Sequence, residues 1–222
     1  MITLFNSPAS TAMSAHAALE EIGCAYENRW IDIDIPLEQR DTEFQALTPH
    51  GAVPVLVDDD GTVVFEGTAI LIYLCERFPE AGLGPAIGEP GRGDFLKWMT
   101  YMTNTLQIAM QIYFMPFWHT TGEAGHEEIS AQGIARLDTS WRLLDEVCAA
   151  NGPYLLGDRF SACDLHLQML SLWHRDTDAM RSRYPHVKRC AELVEERPAM
   201  QHIMRFHGPN WDAHHPDYPG PP

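Results

Sequence analysis

The sequence predicts an α/β domain followed by an all-helical domain. Three observations predict this division: strand-like and helix-like runs alternate up to about residue 80, proline and glycine crowd residues 79–93, and apolar residues recur at helical spacing beyond that stretch. We therefore place the first domain at 1–80, a linker at 81–93 and the all-helical domain at 94–206. A tail rich in proline and histidine follows at 207–222.

The patterns of the first domain occur in the order β-α-β-α-β-β-α. Strands are predicted from alternating or β-branched runs, and helices from apolar residues at helical spacing. The predicted segments are strand 2–5, helix 12–22, strand 26–33, helix 37–47, strands 55–57 and 62–65 around an acidic turn, and a helix from 67. This order is a thioredoxin-like layout, in which a right-handed β-α-β unit begins the sheet and an antiparallel hairpin completes it.

The hairpin at 55–65 carries the clearest binding signal. Pro54 cannot donate to a strand ladder, so it must lie at a strand start or an edge. A cis Val53–Pro54 bond would leave the backbone N–H and C=O of Val53 free to pair with an extended peptide. Glu66 precedes the next helix, and a carboxylate beside a helix N-terminus can hold an amine and a carboxylate together.

Composition and charge exclude several classes of partner. The chain has 45% hydrophobic and 21% charged residues, which are globular values, and a net charge of −16. That charge argues against nucleic-acid and anionic-membrane partners. No apolar run approaches the roughly 20 residues of a membrane span, and no signal-peptide pattern precedes the first strand. Five scattered cysteines without a Cys-x-x-Cys pair predict reduced thiols in a cytoplasmic protein.

Two features of the second half are interpreted as structural. Ser161 is expected to cap a buried helix, with Asp164 returning the bond, and His166 on that helix is expected to be a packed histidine. The histidines near the end, which are His207, His214 and His215, lack cysteine or carboxylate partners at ligand spacing. We therefore predict a proline-rich tail there and no metal site.

The hairpin and the residues around it resemble the glutathione-binding half of the cytosolic glutathione transferases. Residues 48–56 read TPHGAVPVL and residues 66–74 read EGTAILIYL, against a family pattern of Asn-Pro-x-Gly-x-Val-Pro-x-Leu and then Glu-Ser-x-Ala-Ile-x-x-Tyr-Leu. One position departs from that pattern, because Gly67 stands where the family has serine. Residues 7–8 and 18–23 resemble the bacterial beta-like members, whereas Ser7-Pro8-Ala9-Ser10 resembles serine-type members.

This resemblance implies glutathione as the cofactor and assigns its contacts. The backbone of Val53, before Pro54, would pair with the cysteinyl part of glutathione. Glu66 would take the γ-glutamyl amine, and the N–H groups of Gly67 and Thr68 would hold the adjacent carboxylate. For the glycyl carboxylate the candidates are Gln39, Arg40 and His50.

The resemblance places the chemistry at the turn between the first strand and the first helix. Without cysteines there, thiol–disulfide exchange by the protein is excluded, and hydroxyl and amide chemistry remains: a hydroxyl donor together with the helix N-terminus would stabilise the thiolate of glutathione. Ser10 and Thr11 are both candidates, with Asn6 behind them, and both could instead be helix-cap residues. In the second domain Gln107 replaces a beta-like histidine, and Gln107, Gln111 and Phe114 are candidate walls of the substrate pocket.

The sequence therefore predicts a cytoplasmic, homodimeric glutathione transferase-like enzyme. Its thiolate would attack a small hydrophobic electrophile, giving conjugation, ether or halide displacement, or isomerisation. The alternative is a non-catalytic binding or scaffold protein of the same fold, which Gly67 and Gln107 favour and which Val53, Pro54 and Glu66 oppose.

Overall fold

The computed structural model describes residues 1–174 and 176–207 and divides the chain into two compact units. Unit 1 contains residues 1–86 together with 195–207, and unit 2 contains residues 87–194. The boundary at residues 86–87 falls inside the linker that the sequence predicts. The remainder of the predicted tail, 208–222 with His214 and His215, lies outside the described residues.

Unit 1 is built on a four-stranded mixed sheet. Its elements are β1 (Ile2–Asn6), α1 (Met13–Ile22), β2 (Tyr26–Trp30), α2 (Thr42–Leu47), β3 (Val55–Val57), β4 (Val63–Phe65), α3 (Gly67–Arg77) and α10 (Pro198–His207). The strand order is β2-β1-β3-β4; β1 is parallel to β2 and antiparallel to β3, which pairs with antiparallel β4. The predicted β-α-β-α-β-β-α order and the thioredoxin-like fold class are confirmed.

The central strand β1 is covered on both faces. Successive side chains of a strand point to opposite faces, and Leu4 and Phe5 are both buried. The Phe5 ring lies 5.8 Å from that of Phe44 on α2, between centroids. Burial of these apolar side chains fixes the end of β1, and therefore the turn that follows it, against the rest of unit 1.

Helix α10 belongs to the N-terminal unit, although the sequence analysis places these residues in the helical domain at 94–206. The guanidinium of Arg197, just before α10, forms a two-pronged ion pair with Glu21 of α1, at 2.6 and 2.7 Å. α10 includes His207, which is the last residue that the structure describes and the first residue of the predicted tail. The sequence could not reveal that α10 packs in unit 1, because that depends on contacts across more than 170 residues.

Unit 2 consists of helices. They are α4 (Arg92–Tyr101), α5 (Ile108–Phe114), α6 (His126–Asn151), α7 (Ala162–Leu172), α8 (Thr177–Arg183) and α9 (Pro185–Glu195), with the π-helical segment Met102–Gln107 joining α4 to α5. A Cβ added to Gly133 on α6 would lie 2.6 Å from the backbone nitrogen of Tyr113, so glycine allows α5 and α6 to pack closely. Within the described residues, none of the helices has both the length and the apolar character needed to cross a bilayer.

The start of α7 is a buried capping box, as the sequence predicts. Oδ2 of Asp164 accepts hydrogen bonds from the backbone N–H of Ser161 at 2.8 Å and from its hydroxyl at 2.9 Å. Oδ1 of Asp164 accepts the N–H of Leu155 at 2.9 Å. Burial raises the pKa of Asp164 to about 6, although these bonds oppose the shift. His166 is buried on the same helix, and burial lowers its pKa to about 4.

Candidate active site

The turn between β1 and α1, residues 7–11, contains the two candidate hydroxyls, and their surroundings differ. The hydroxyl of Ser10 donates to the carbonyl of Ser7 at 2.6 Å and accepts the N–H of Ala12 at 3.2 Å. Ser10 is also buried. Its donor and one acceptor position are therefore used inside the turn, which Ser10 holds together without capping α1, whose N-cap residue is Ala12.

Thr11 lies at the end of the turn and faces Val53, two residues before β3. It is half-buried, and its hydroxyl donates to the carbonyl of Val53 at 2.8 Å. The Val53–Pro54 bond is cis, as the sequence predicts. The turn and the start of β3 are thus joined at the backbone that the sequence analysis expects to bind an extended peptide.

The start of α3 forms the third side of this site. A Cβ added to Gly67 would lie 3.5 Å from the carbonyl oxygen of Thr11 and 3.8 Å from Cγ of Pro54. Glu66 precedes α3 with a φ of 72°, in the left-handed region, and its side chain is exposed. The N-terminus of a helix carries partial positive charge, so an anion bound beside Gly67 and Thr68 would be stabilised there.

The three residues predicted to bind the glycyl carboxylate differ from one another in their surroundings. Gln39 and His50 are exposed on the surface of unit 1. Arg40 donates from its guanidinium to three backbone carbonyls, those of Ile33 at 2.6 Å, Ile35 at 3.0 Å and Gly51 at 2.6 Å. Arg40 therefore holds the loop that leads to Val53, which is a structural role for a residue that the sequence offered as a ligand.

Asn6 is fully buried beneath the turn. Its side-chain oxygen accepts the N–H of Ser7 at 2.8 Å, and its side-chain nitrogen donates to Asn28 at 3.1 Å. Both groups of the amide are therefore occupied inside unit 1. Asn6 therefore supports the turn from the interior of unit 1 and does not lie where a bound sulfur would be contacted.

Two histidines that the sequence analysis did not assign to the site lie directly behind the turn. Nδ1 of His207 is 3.2 Å from the backbone nitrogen of Ala9, and Nε2 of His207 is 2.9 Å from Nδ1 of His16. Both side chains are buried. The sequence noted His207 only as part of a histidine-containing tail, and no local pattern connects it to residue 9.

The three predicted substrate residues lie in unit 2, on the helix that runs from α4 through the π-helical segment to α5. Gln107, Gln111 and Phe114 are spaced by four and three residues, which places them on one face, and each is half-buried. The amide of Gln107 has no acid–base function at this position. These three residues remain predictions for the substrate pocket.

The geometry of unit 1 defines a class of protein before any comparison. A thioredoxin-like sheet presents a turn to a cis-proline, and the turn contains hydroxyls where a redox protein would have two cysteines. All five cysteines are free thiols, and four of them are buried. The turn at residues 7–11 therefore has no protein thiol for disulfide exchange, although the sheet and the cis-proline beside it are those of the thioredoxin-like fold.

Comparison with known proteins identifies the family. Residues 4–82 match the N-terminal domain of glutathione S-transferases, and residues 111–203 match their C-terminal domain. The chain is 30% identical over 175 residues to glutathione S-transferase F10 of Arabidopsis thaliana, across 74% of this chain and 77% of that protein. It is 26% identical over 207 residues to glutathione S-transferase GstB of Escherichia coli, across 92% of this chain and 98% of that protein.

A solved structure agrees with these sequence matches. A sphingomonad glutathione S-transferase complexed with glutathione has a TM-score of 0.80 and 26% identity, and the match covers 91% of this chain and 97% of that one. The chain therefore belongs to the glutathione S-transferase family. The predicted family and enzyme class are confirmed, and so is glutathione as the co-substrate that the family uses.

Proposed function

We propose that this protein binds one glutathione per chain in unit 1 and activates its thiol for attack on a small, hydrophobic electrophile. The observation that carries the proposal is the contact between the Thr11 hydroxyl and the Val53 carbonyl, beside the N-terminus of α3. It gathers a hydroxyl, a strand-like backbone and a helix end at one place. Those are the groups that a γ-glutamyl peptide with a thiol needs.

Each part of glutathione has a counterpart in this arrangement. The cysteinyl backbone pairs with the N–H and C=O of Val53. The γ-glutamyl amine is positive and lies at the exposed carboxylate of Glu66, whereas its carboxylate lies at the N-terminus of α3 beside Gly67 and Thr68. Gln39 and His50 are the candidates for the glycyl carboxylate, since Arg40 is bound to backbone carbonyls.

We assign Thr11, rather than Ser10, as the donor to the thiolate. When the cysteinyl N–H binds the carbonyl of Val53, the Thr11 hydroxyl can turn from that carbonyl to the sulfur. A donor and a helix N-terminus both favour the charged form of the thiol, so they lower its pKa from the ordinary value of about 8.5. Ser10 stays bonded to Ser7 and Ala12 and shapes the turn.

The proposed reaction is nucleophilic attack by the glutathione thiolate. Its sulfur forms a bond to an electrophilic carbon of the substrate, and the leaving group departs with the electron pair of the bond that breaks; addition to an activated double bond follows the same first step. The protein contributes position and a fixed hydrogen bond to the sulfur. Gln107, Gln111 and Phe114 are proposed to contact the substrate.

Binding is tested by calorimetry with glutathione. We expect one site per chain, and Glu66→Gln to weaken binding at least tenfold, or about 1.4 kcal/mol, since the charge-assisted bond to the amine is lost. Glu80→Gln, at another exposed acidic residue of unit 1, is the matched control and should leave affinity unchanged. No heat with the wild-type protein up to millimolar glutathione would favour the non-catalytic alternative.

The role of Thr11 is tested by Thr11→Val, which keeps the shape of the side chain and removes the hydroxyl. We expect the pKa of the bound thiol to rise and turnover of an aryl halide at neutral pH to fall by about ten- to a hundredfold, for one charge-assisted bond of about 1.5 to 3 kcal/mol. Ser10→Ala should change stability more than thiol pKa. The thiolate absorbance of bound glutathione against pH measures this, and an unchanged titration in Thr11→Val would remove the assignment.

We also propose a homodimer in the cytoplasm. Val63 and Phe65 on the short strand β4 are 40% and 41% exposed, so association would bury apolar surface that one chain leaves in water. The free thiols fit a reducing compartment. Light scattering after gel filtration should give twice the mass of one chain, and Phe65→Lys should shift it toward the monomer.

A further inference from the structure

The β1–α1 turn is attached to α10 by a hydrogen bond whose direction is fixed. The backbone nitrogen of Ala9 can only donate, so Nδ1 of His207, 3.2 Å away, must be unprotonated and accept. The proton of this neutral imidazole is therefore on Nε2. One backbone amide thus determines the tautomer of a side chain that is 3% exposed.

The tautomer of His16 on α1 is determined in turn by His207. Nε2 of His207 donates across 2.9 Å to Nδ1 of His16, which must accept and so is unprotonated as well. The side-chain nitrogen of Asn6 approaches the same Nδ1 at 3.3 Å. The result is a one-directional chain of hydrogen bonds from Ala9 through His207 to His16, in which each ring is neutral and fixed in orientation.

Aromatic rings exclude water from this pair of histidines. The Trp30 ring centroid lies 6.1 Å from that of His16 and 5.7 Å from that of His207, and the Phe206 ring lies 6.0 Å from that of His16. A hydrogen bond in such surroundings has no water to replace it. These contacts fix the His207 ring, so its Nδ1 stays in place as the acceptor for the N–H of the exposed Ala9.

Ala9 needs such support because of its backbone conformation. Its φ is 50°, in the left-handed region that residues with a Cβ rarely adopt and that contacts have to maintain. Ala9 lies two residues before Thr11. Rotation of the Ala9 peptide would change the direction of the turn and move the Thr11 hydroxyl away from Val53.

We propose that His207 is a positioning residue for glutathione activation: it holds the Ala9 peptide and thereby keeps the Thr11 hydroxyl at the Val53 backbone, where the thiol of glutathione binds. This inference rests on the proposed function of Thr11. It assigns to α10, a helix near the other end of the sequence, control over the geometry of the thiol-activating turn.

Other ionisable groups surround the pair and have to be separated from it in a test. They are the neighbouring His202 on α10, Tyr26 on β2 and the Glu21–Arg197 ion pair between α1 and the start of α10. His202 is exposed and its ring contacts that of Phe206, so it shares the helix and the residue type of His207 without reaching the turn. His202→Asn is therefore the matched control.

Two substitutions of His207 separate positioning from packing. In His207→Asn, the side-chain oxygen can occupy the place of Nδ1 and still accept the N–H of Ala9, while the bond to His16 is lost. In His207→Gln, the side-chain amide can reach the place of Nε2 and still donate to His16, while Ala9 loses its acceptor. Both variants remove the imidazole ring of His207, so a packing defect caused by its loss should affect both.

We expect the two variants to differ in catalysis and in amide exchange. His207→Gln should lower kcat by about tenfold or more and raise the pKa of bound thiol, with the KM for glutathione nearly unchanged, because one catalytic hydrogen bond is displaced. His207→Asn should stay within a few-fold of wild type. In the protein without ligand, the Ala9 amide should lose protection from hydrogen exchange in His207→Gln and keep it in His207→Asn.

Each result decides between the alternatives. Equal rates, thiol pKa values and Ala9 exchange in the two variants would overturn the inference and leave His207 as a packing residue. A wild-type protein that does not bind glutathione would overturn the proposed function instead, and the Ala9 exchange would still show whether His207 holds the turn. A change in His202→Asn as large as in His207→Gln would also overturn the inference.

Discussion

A buried serine precedes each of the helices α1 and α7, Ser10 and Ser161 respectively, and the two starts are completed in different ways. At α7, Asp164 accepts bonds from Ser161 and Leu155, so a side chain of the protein supplies the negative charge that a helix N-terminus favours. At α1, the first turn contains no acidic residue. The protein itself leaves the favourable position for an anion at α1 without a carboxylate.

This difference separates a helix start that is closed by its own carboxylate from one that has none. The capping groups of α7 are fully buried and satisfy each other, whereas Thr11 at α1 is half-buried and its hydroxyl bonds to the backbone carbonyl of Val53 across the site. A serine before a helix predicts a cap in both cases. The returning carboxylate three residues later is present at α7, where it completes the capping box, and absent at α1.

The largest expected effect is at α7. Asp164→Ala should lower the free energy of unfolding by about 3 kcal/mol, because it leaves the buried N–H groups of Ser161 and Leu155 without acceptors. Urea unfolding measures this. Asp178→Ala, an exposed acidic residue in the first turn of α8, is the control and should cost far less. A fully stable Asp164→Ala protein would end the distinction between the two starts.

The pH dependence of stability should also differ between the two regions. At α1, burial lowers the pKa of His207 to about 3 and that of His16 well below its ordinary value. Unfolding then takes up protons, so stability is full above about pH 6.5 and is lost as the pH falls toward the folded values. At α7, the neutral His166 likewise stabilises the fold less as the pH falls. Asp164, whose pKa is raised to about 6, behaves oppositely, because its contribution to the free energy of unfolding is lost as the pH rises through that value.

His207→Asn should therefore flatten the acid side of the stability curve, by up to about 1.4 kcal/mol per pH unit between pH 6 and 4. Asp164→Asn should have the opposite effect and make the free energy of unfolding rise more steeply as the pH increases toward 6. The measurement is the free energy of unfolding in urea at a series of pH values, with His202→Asn as the exposed control. Parallel curves for wild type and His207→Asn would mean that His207 does not stay neutral in the folded protein.

The smallest expected effect concerns a third helix start, that of α3. Gly67→Ser should tighten glutathione binding by up to about tenfold, since a hydroxyl at this N-terminus can donate to the bound carboxylate. The backbone leaves room, because an added Cβ lies in ordinary contact with Thr11 and Pro54. Calorimetry measures the change, and Gly93→Ser, at an open position in unit 2, is the control. Weaker binding would mean that the ligand already occupies this space.

What the sequence could predict depends on how far apart the interacting residues are. The capping box spans three residues, and the hairpin with Val53, Pro54 and Glu66 is one continuous stretch, so local patterns were sufficient. Ser10 and Thr11 have similar hydroxyls, and only the course of the turn directs one inward to Ser7 and the other across to Val53. The contact of His207 with Ala9 has no local pattern at all.

The bond between Ala9 and His207 joins positions that are 198 residues apart. A ribosome adds about 5–20 residues per second, so roughly 10 to 40 seconds separate the synthesis of the two partners. The strands and helices of residues 1–86 leave the ribosome long before α10 does. During that interval the turn exists without its histidine acceptor, so a growing chain acquires the complete turn only after all of unit 2, residues 87–194, has been made.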